Sequence, residues 1–325
     1  MTSGRERLEA MLGECDGDLV SEVARGRLRR AIDTLTGASP ELAFECHLDS
    51  PRVDLVARVR LSDRSVLLES SATRGSLRRF LERWEDPNDP LAPIPFVEIE
   101  YDLDGDDAEP WIGPAIEPLL RRGVRAIHEA RMGRPVHDWM SYRLAAAFLE
   151  TFTSDSEAWK RRAMECFEAL PGLGCINHFT LLDLRPERPT PGMRMIVSLP
   201  RPALRRYLER VGWAGDISGF DATVDRFTPG ADRVDFDLDV RSSDTSARAA
   251  FYVEFRAPRA KSSVLAGLLD ALEADSNAAG APIDALRRWV ARVDARASRV
   301  LTMKLTLERE KTRVKAYLGS LGSVP

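Results

Sequence analysis

Apolar residues recur along this chain with two alternating periods. In the first, they fall every three or four residues, as at Leu77, Phe80, Leu81 and Trp84. This spacing is typical of a helix with one buried face. The same kind of stripe, or an amphipathic composition, predicts further helices in these segments: 7–35, 114–130, 143–153, 158–169, 204–211, 264–272 and 283–293.

The second period is two, the spacing of side chains on one face of a β-strand. Val53, Leu55, Ala57 and Val59, for example, alternate with residues that are mostly charged. The segments with this alternation are 53–61, 96–103, 193–199, 233–240, 251–256, 301–308 and 313–318. Strands of a parallel sheet buried on both faces are continuously apolar, so these half-polar strands predict an antiparallel sheet with helices on one side only.

The order of the segments predicts a repeated unit of helix, helix, strand, strand. Strand pairs are predicted at 41–61, 174–200, 231–256 and 299–319, with a fifth formed by segments near 65–70 and 96–103. Twisted sheets of about ten strands tend to curl or close. We therefore predict an α+β fold, an antiparallel β-barrel of about ten strands with helices outside, as a single domain over residues 1–325. An open sheet with one solvated face is the alternative.

Composition narrows the class of protein. The chain has 325 residues, of which 44% are hydrophobic and 30% charged, with a net charge of −4. This composition excludes wholesale disorder and gives no electrostatic footprint for nucleic acid. No apolar run approaches the ~20 residues that span a bilayer, and no secretory signal is present. Four cysteines without C-x-x-C spacing predict buried thiols. We therefore expect a cytoplasmic protein with no membrane or nucleic-acid partner.

The sharpest local feature is Arg313-Val-Lys315-Ala-Tyr317. Alternate residues of a strand share one face, so these two cations and one phenol project side by side, about 7 Å apart. An arginine fork, a lysine ammonium and a neutral hydroxyl together are suited to holding a diphosphate.

Other strands carry cations at equivalent polar positions. Arg58 and Arg60 form a second pair, and Arg194 and Lys304 would converge with them if the sheet closes. Tyr252 adds another phenol on a polar face. The alternative interpretation is that each charge belongs to an ordinary solvated strand face.

The repeated units and this motif resemble the αββα-barrel prenyltransferases, which include the indole prenyltransferases of fungi and the peptide prenyltransferases of cyanobactin pathways. The strands of that family carry an Arg-x-Lys-x-Tyr pattern, which Arg313-Val-Lys315-Ala-Tyr317 matches. A second family strand pair is similar to Asp183-Leu184 followed by 193–200, with Arg194 for the family's lysine and Ser198 for its tyrosine. In Arg248-Ala-Ala250-Phe-Tyr252, an alanine replaces the lysine.

The resemblance implies prenyl transfer from an allylic diphosphate to an aromatic small molecule or a peptide, in a natural-product pathway that includes ribosomal peptides. It implies a catalytic role for Glu45, about a dozen residues before a diphosphate arginine. The diphosphate-binding residues that it implies are Arg58, Arg194, Lys304, Arg313, Lys315, Tyr317 and Tyr252. Asp235, Asp237 and Asp239 would repel a diphosphate unless Mg²⁺ bridges them, so Mg²⁺ is an expected cofactor.

Two other hypotheses remain open. His47-x-Asp49 is half of a 2-His-1-carboxylate iron site, which would make the protein a peptide-modifying oxygenase that depends on non-haem Fe(II). The third ligand would be one of three histidines: His178, His128 or His137. A non-catalytic barrel that binds a peptide is the remaining hypothesis, in which the acidic strands 96–102 and 235–239 attract a basic partner.

Overall fold

The computed structural model describes the following residues: 3–35, 38, 40–63, 75–92, 94, 96–103, 110–114, 137–152, 156–171, 174–181, 192–241, 245–256, 263–274, 280–293, 299–307 and 312–320. The helices within them are α1 (Gly4–Glu14), α2 (Glu22–Asp33), α3 (Gly75–Glu85), α4 (His137–Phe152), α5 (Ser156–Glu168), α6 (Leu204–Arg210), α7 (Ile217–Phe227), α8 (Ser263–Ala274) and α9 (Ala281–Arg292). The strands within them are β1 (Glu41–His47), β2 (Val53–Arg60), β3 (Phe96–Tyr101), β4 (Pro110–Pro114), β5 (Cys175–Leu181), β6 (Met193–Pro200), β7 (Arg233–Val240), β8 (Thr245–Arg256), β9 (Arg299–Leu307) and β10 (Thr312–Ser320).

The order of these elements confirms the predicted repeat. Two helices precede two strands in α1-α2-β1-β2, and the pattern returns at α4, α6 and α8. The strand pairs β1–β2, β1–β10, β9–β10, β5–β6 and β6–β7 are all antiparallel, so the α+β class is also confirmed. The predicted strand at 65–70 and nearly all of the predicted helix at 114–130 lie outside the described residues. Strand β4 was not predicted from the sequence, because this short segment has no clear alternation of apolar and polar residues.

Capping residues fix where several helices begin. Ser3 accepts a hydrogen bond from the Glu6 amide while the Glu6 carboxylate accepts one from the Ser3 amide, a capping box that starts α1. Ser21 and Asp216 accept the first-turn amides of α2 and α7 in the same way. These caps satisfy amides that a helix start leaves without a partner.

The chain packs as two compact units. Unit 1 comprises residues 1–72, 98–110 and 252–325, and unit 2 comprises 73–97 and 111–251. Strands β3 and β8 run through both units. The single domain over residues 1–325 stays a prediction.

In unit 1, antiparallel pairing orders four strands as β2-β1-β10-β9. The register places Glu45 of β1 opposite both Asp54 of β2 and Tyr317 of β10, and Lys315 of β10 opposite Lys304 of β9. Helices α1 and α2 pack against β1 and β2. The apolar strand positions are therefore covered by helices, and the charged positions share the other face of the sheet.

In unit 2, antiparallel pairing orders three strands as β7-β6-β5. An aromatic cluster joins the helices to the apolar strand face: Phe220 lies 6.2 Å from Phe236 and 6.0 Å from Phe251, between ring centroids. Tyr207 of α6 adds an edge contact to Phe236 at 5.9 Å. Such edge-to-face pairs contribute to core packing beyond the area they bury.

The polar strand face is not an ordinary solvated surface. Glu45 and Lys304 are each only 4% exposed, Asp54 is 2% exposed and Asp237 is fully buried. These four side chains are therefore shielded from water, unlike those on an ordinary solvated strand face. Burying charge is costly unless each group has a partner, so the partners of these side chains decide what the face can bind.

All four cysteines are buried thiols without disulfides, two in each unit: Cys15 and Cys46, and Cys166 and Cys175. Within the described parts of the chain, no helix combines the length and apolarity needed to cross a bilayer.

Leu286→Ala tests the assignment of the unit 1 core. Leu286 of α9 is fully buried, so the truncation is expected to lower the free energy of unfolding by about 2–5 kcal/mol. Val264→Ala on α8, where the side chain is 56% exposed, should change it by less than about 0.5 kcal/mol. Urea denaturation monitored by circular dichroism measures both. Equal effects of the two variants would contradict the assignment.

Candidate active site

Glu45 is the centre of a buried polar cluster in unit 1. Strand β1 places its carboxylate between β2 and β10, and Lys315 of β10 donates a hydrogen bond to its Oε1. The phenol of Tyr317 also hydrogen-bonds to Glu45. His47, two residues along the same face of β1, brings its Nε2 within 3.6 Å of Glu45 Oε1. The predicted catalytic residue therefore has an ammonium, a phenol and an imidazole around it.

The charges in this cluster set the protonation of Glu45 and Tyr317. Burial alone would raise the pKa of the Glu45 carboxyl, but Lys315 and Lys304 outweigh it and hold that pKa below its ordinary value. Burial and the negative charge of Glu45 raise the pKa of Tyr317 well above its usual range. At neutral pH, Glu45 is an ionised carboxylate and Tyr317 is a neutral hydroxyl.

The two lysines lie side by side with aromatic neighbours. Lys304 of β9 is opposite Lys315 in the register, and its Nζ lies 5.0 Å from the ring centroid of Tyr252, a cation–π distance. Arg313 follows on the same face of β10, opposite Thr306, and is exposed. The structure thus brings together the predicted residues Glu45, Lys304, Lys315, Tyr252 and Tyr317.

Arg58 lies in the same unit within a network of carboxylates. It donates from Nη2 to Glu98 at 2.6 Å and from Nη1 to Glu41 at 3.4 Å. Arg60 donates to the second oxygen of Glu41 at 2.7 Å. Burial lowers the pKa of the Arg58 guanidinium, but Glu98 and Glu41 raise it by more. Glu41 and Glu98 are partners that the sequence analysis did not assign to this arginine.

The residues of the iron hypothesis are arranged differently from the prediction. Asp49 lies in the turn after β1 and is exposed, while Asp54 of β2 lies 3.1 Å from His47 Nε2. Ligand atoms of Glu45, His47 and Asp54 come within 4.8 Å of one another. However, Arg52 already donates to both oxygens of Asp54, at 3.1 and 2.8 Å.

The side chains of the other predicted iron ligands lie outside what the structure describes. His178 lies on β5 of unit 2, where its side chain is outside the described set, as are the side chain of His137 and all of His128. Asp54 was missed because the His-x-Asp pattern considers a single strand, whereas Asp54 reaches His47 from the neighbouring one. Both carboxylates of the cluster are held by cations, so the cluster does not favour the oxygenase hypothesis.

Arg194 belongs to a separate buried network in unit 2. Its guanidinium donates to both oxygens of Asp239, at 2.7 and 2.9 Å, and the two residues are opposite in the β6–β7 register. Arg248 donates to Asp237 at 2.9 Å. Burial would raise the pKa of Asp239, but Arg194 and Arg248 lower it to about 2. That Arg194 binds a diphosphate stays a prediction, and here two of its N–H groups donate to Asp239.

Two other motif positions of unit 2, Ser198 and Ala250, carry no charge. Ser198, at the position of a family tyrosine, accepts a hydrogen bond from Arg233 at 3.0 Å. Ala250, at the position of a family lysine, is buried. Neither position adds a cation to the polar face.

Comparison with known proteins identifies the fold. No protein-family model matches the sequence, and no curated protein matches it. Among solved structures, 6-dimethylallyl tryptophan synthase matches with a TM-score of 0.57 and 12% identity over 98% of this chain and 96% of its own. AnaPT from Neosartorya fischeri matches with a TM-score of 0.59 and 13% identity over 97% of this chain and 91% of its own. NotF, crystallised in complex with brevianamide F and DMSPP, matches with a TM-score of 0.54 and 10% identity over 97% of this chain and 92% of its own.

The chain has the αββα fold. These matches are to indole prenyltransferases of that fold and span nearly the whole length of both chains, which confirms the predicted resemblance and fold class. At 10–13% identity they establish the architecture of the αββα protein and leave its chemistry to its own residues.

Asp239→Asn tests the charge network of unit 2. Because the folded-state pKa of Asp239 is depressed, the stability it contributes is complete above its ordinary value of 3.8 and is lost as the pH falls toward about 2. The variant is expected to be less stable by about 3–5 kcal/mol at pH 7, since Arg194 keeps a buried charge without its partner. This deficit should narrow as the pH falls below 4.

Urea unfolding at pH 7, 5, 4 and 3 gives the required profile. Asp225→Asn is the matched control, because Asp225 forms an exposed ion pair with Arg201 and its loss should cost less than about 1 kcal/mol. A deficit of Asp239→Asn that stays constant over this range would contradict the assignment.

Proposed function

We propose that this protein transfers a prenyl group from an allylic diphosphate to an electron-rich aromatic acceptor. The observation that carries the proposal is the unit 1 cluster, in which two adjacent lysines and two tyrosines surround a buried, ionised glutamate. An αββα fold shared with indole prenyltransferases supports it. A fold alone does not fix an activity, so the proposal depends on what this cluster can do.

Lys304, Lys315 and Arg313 are the proposed donor-binding cations. The first two project from paired positions on β9 and β10, and Arg313 is two residues from Lys315 on the same face. Fixed cations and a neutral phenol stabilise the charge that develops on a departing diphosphate without reorganisation. Tyr317, which is neutral at working pH, supplies that phenol. Arg58 adds a cation in the same unit, shared with Glu98 and Glu41.

The proposed reaction breaks the bond between the allylic carbon and the diphosphate oxygen. Diphosphate leaves with the electron pair, an aromatic carbon of the acceptor bonds to the allyl carbon, and the proton on that aromatic carbon passes to Glu45. A buried, ionised carboxylate is suited to accept it. The ring of Tyr252, which already faces the Lys304 ammonium, can stabilise an allyl cation by the same electrostatic attraction.

The acceptor class is the least constrained part of the proposal. NotF was crystallised in complex with brevianamide F, and another similar structure is named 6-dimethylallyl tryptophan synthase. We extend this to an aromatic small molecule or an aromatic peptide side chain, in a natural-product pathway that includes ribosomal peptides.

Mg²⁺ accompanies the donor in the proposed tests. It usually binds through substrate phosphates, keeps several waters and seldom uses a cage made of protein alone. The described carboxylates of this cluster do not offer such a cage, since Arg52, Arg58 and Lys315 hold Asp54, Glu98 and Glu45. We therefore assign no residue of this chain to Mg²⁺.

Donor binding is the first test. Calorimetric titration with dimethylallyl thiodiphosphate and Mg²⁺ is expected to show saturable binding. Lys304→Met and Lys315→Met should each weaken it by about tenfold or more, because each removes a charge-assisted contact. Lys160→Met on α5 is the matched control, since that lysine pairs with Glu150 and Glu157 far along the chain from the motif. Its affinity should equal that of the wild type.

Absence of donor binding by the wild-type protein would overturn the proposed function. The non-catalytic hypothesis, a protein that binds a peptide, would then be the one to pursue.

Glu45→Gln is the second test, of the chemical step. Replacing the proton acceptor is expected to lower the rate of prenyl transfer by about 10²- to 10⁴-fold. Mass spectrometry of tryptophan, cyclic dipeptides and tryptophan-containing peptides, incubated with dimethylallyl diphosphate, measures it. Asp102→Asn, which removes a carboxylate that pairs with Arg52, is the control and should retain the rate. A Glu45→Gln protein as fast as the wild type would show that Glu45 is not the base.

A further inference from the structure

Two anions are candidates to bind the Lys315 ammonium in this protein. It donates to Glu45 in the structure, and the proposed function assigns it to the diphosphate of the donor. We infer that Glu45 and the diphosphate compete for Lys315, so that donor binding releases Glu45 to act as the base. This inference rests on the proposed function and concerns the order in which the site becomes competent.

The geometry makes the competition direct. Lys315 and Lys304 are paired residues of adjacent strands, and two ammonium groups so placed repel each other. Glu45 offsets this repulsion in the protein without donor, because both lysines act on its carboxylate. A diphosphate carries more negative charge than one carboxylate and can contact both lysines at once. It therefore replaces Glu45 as the anion of this pair.

The groups around Glu45 determine how its pKa changes when Lys315 binds the diphosphate instead. The groups that face it are His47 on its own strand, Asp54 on β2, Lys304 on β9, and Lys315 and Tyr317 on β10. Of these described groups, His47 and Tyr317 remain as partners once the diphosphate holds both lysines. The pKa of Glu45, kept low by these lysines, then rises toward its ordinary value because a cation is lost and an anion is gained nearby. A stronger base thus appears only after the donor is bound.

The inference predicts that removing the base improves donor binding. Glu45→Gln should bind dimethylallyl thiodiphosphate about tenfold more tightly than the wild type. In this variant Lys315 does not have to break an ion pair with a carboxylate before it binds the diphosphate. Asp102→Asn removes the same charge from the same unit. Because Asp102 pairs with Arg52, this variant should change the donor affinity by less than about twofold.

A double-mutant cycle separates competition from general electrostatics. In a Lys315→Met background, Glu45→Gln should improve donor affinity clearly less than it does in the wild-type background, because the lysine that hydrogen-bonds to Glu45 is absent and only the coulombic attraction of Lys304 is still shared. An equal improvement in both backgrounds, or none in either, would overturn the inference. If the wild type binds donor and Lys304→Met weakens that binding, the proposed function survives such a result. If the wild type binds no donor, the proposed function itself fails.

Proton uptake gives a second measurement that does not depend on Lys315 variants folding. The number of protons taken up on donor binding at pH 5 is measured by calorimetry in buffers with different ionisation enthalpies. This number should be larger for the wild type than for Glu45→Gln. The difference reports the rise in the pKa of Glu45, since the proton equilibria of the diphosphate are common to both proteins. Equal uptake by the two proteins would contradict the release of Glu45.

Discussion

The arrangement of this protein depends on the need to pair every charge that its sheet buries. A carboxylate or guanidinium removed from water is stable only when an opposite charge and further hydrogen bonds replace its hydration. Glu45 with Lys315, Arg58 with Glu98, and Arg194 with Asp239 all follow this rule. In these three described pairs, a ligand that binds one of the charges therefore has to displace or share its partner.

The two units meet this requirement in different ways. In unit 2, Arg194 holds Asp239 through two charge-assisted hydrogen bonds, the fork geometry that fixes an arginine against a carboxylate. In unit 1, Lys304 and Lys315 share one nearby carboxylate, and a lysine ammonium turns more easily to a new partner than an arginine fork does. This difference is why we place the proposed chemistry in unit 1 and regard the unit 2 network as structural.

Much of the fold could be predicted from the sequence because alternation determines which residues share a face. The helix-helix-strand-strand order and the polar positions of β2, β7 and β10 follow from local spacing alone. The charge partners do not, since they depend on register between strands that are distant in sequence. Glu45 and Lys315 are 270 residues apart, and Asp54 reaches His47 from a neighbouring strand. A pattern within one strand could therefore identify Glu45 as a candidate but not the lysine that controls it.

The buried thiols of the two units provide reporters of local opening that are already built into the chain. Burial raises the pKa of Cys15 and of Cys166 to about 12, so almost no reactive thiolate exists while either unit is closed. Cys15 belongs to unit 1 and Cys166 to unit 2. Alkylation of each thiol, followed by peptide mapping, would therefore record how often its own unit opens. Bound donor should slow the alkylation of Cys15 if it ties together the strands of unit 1.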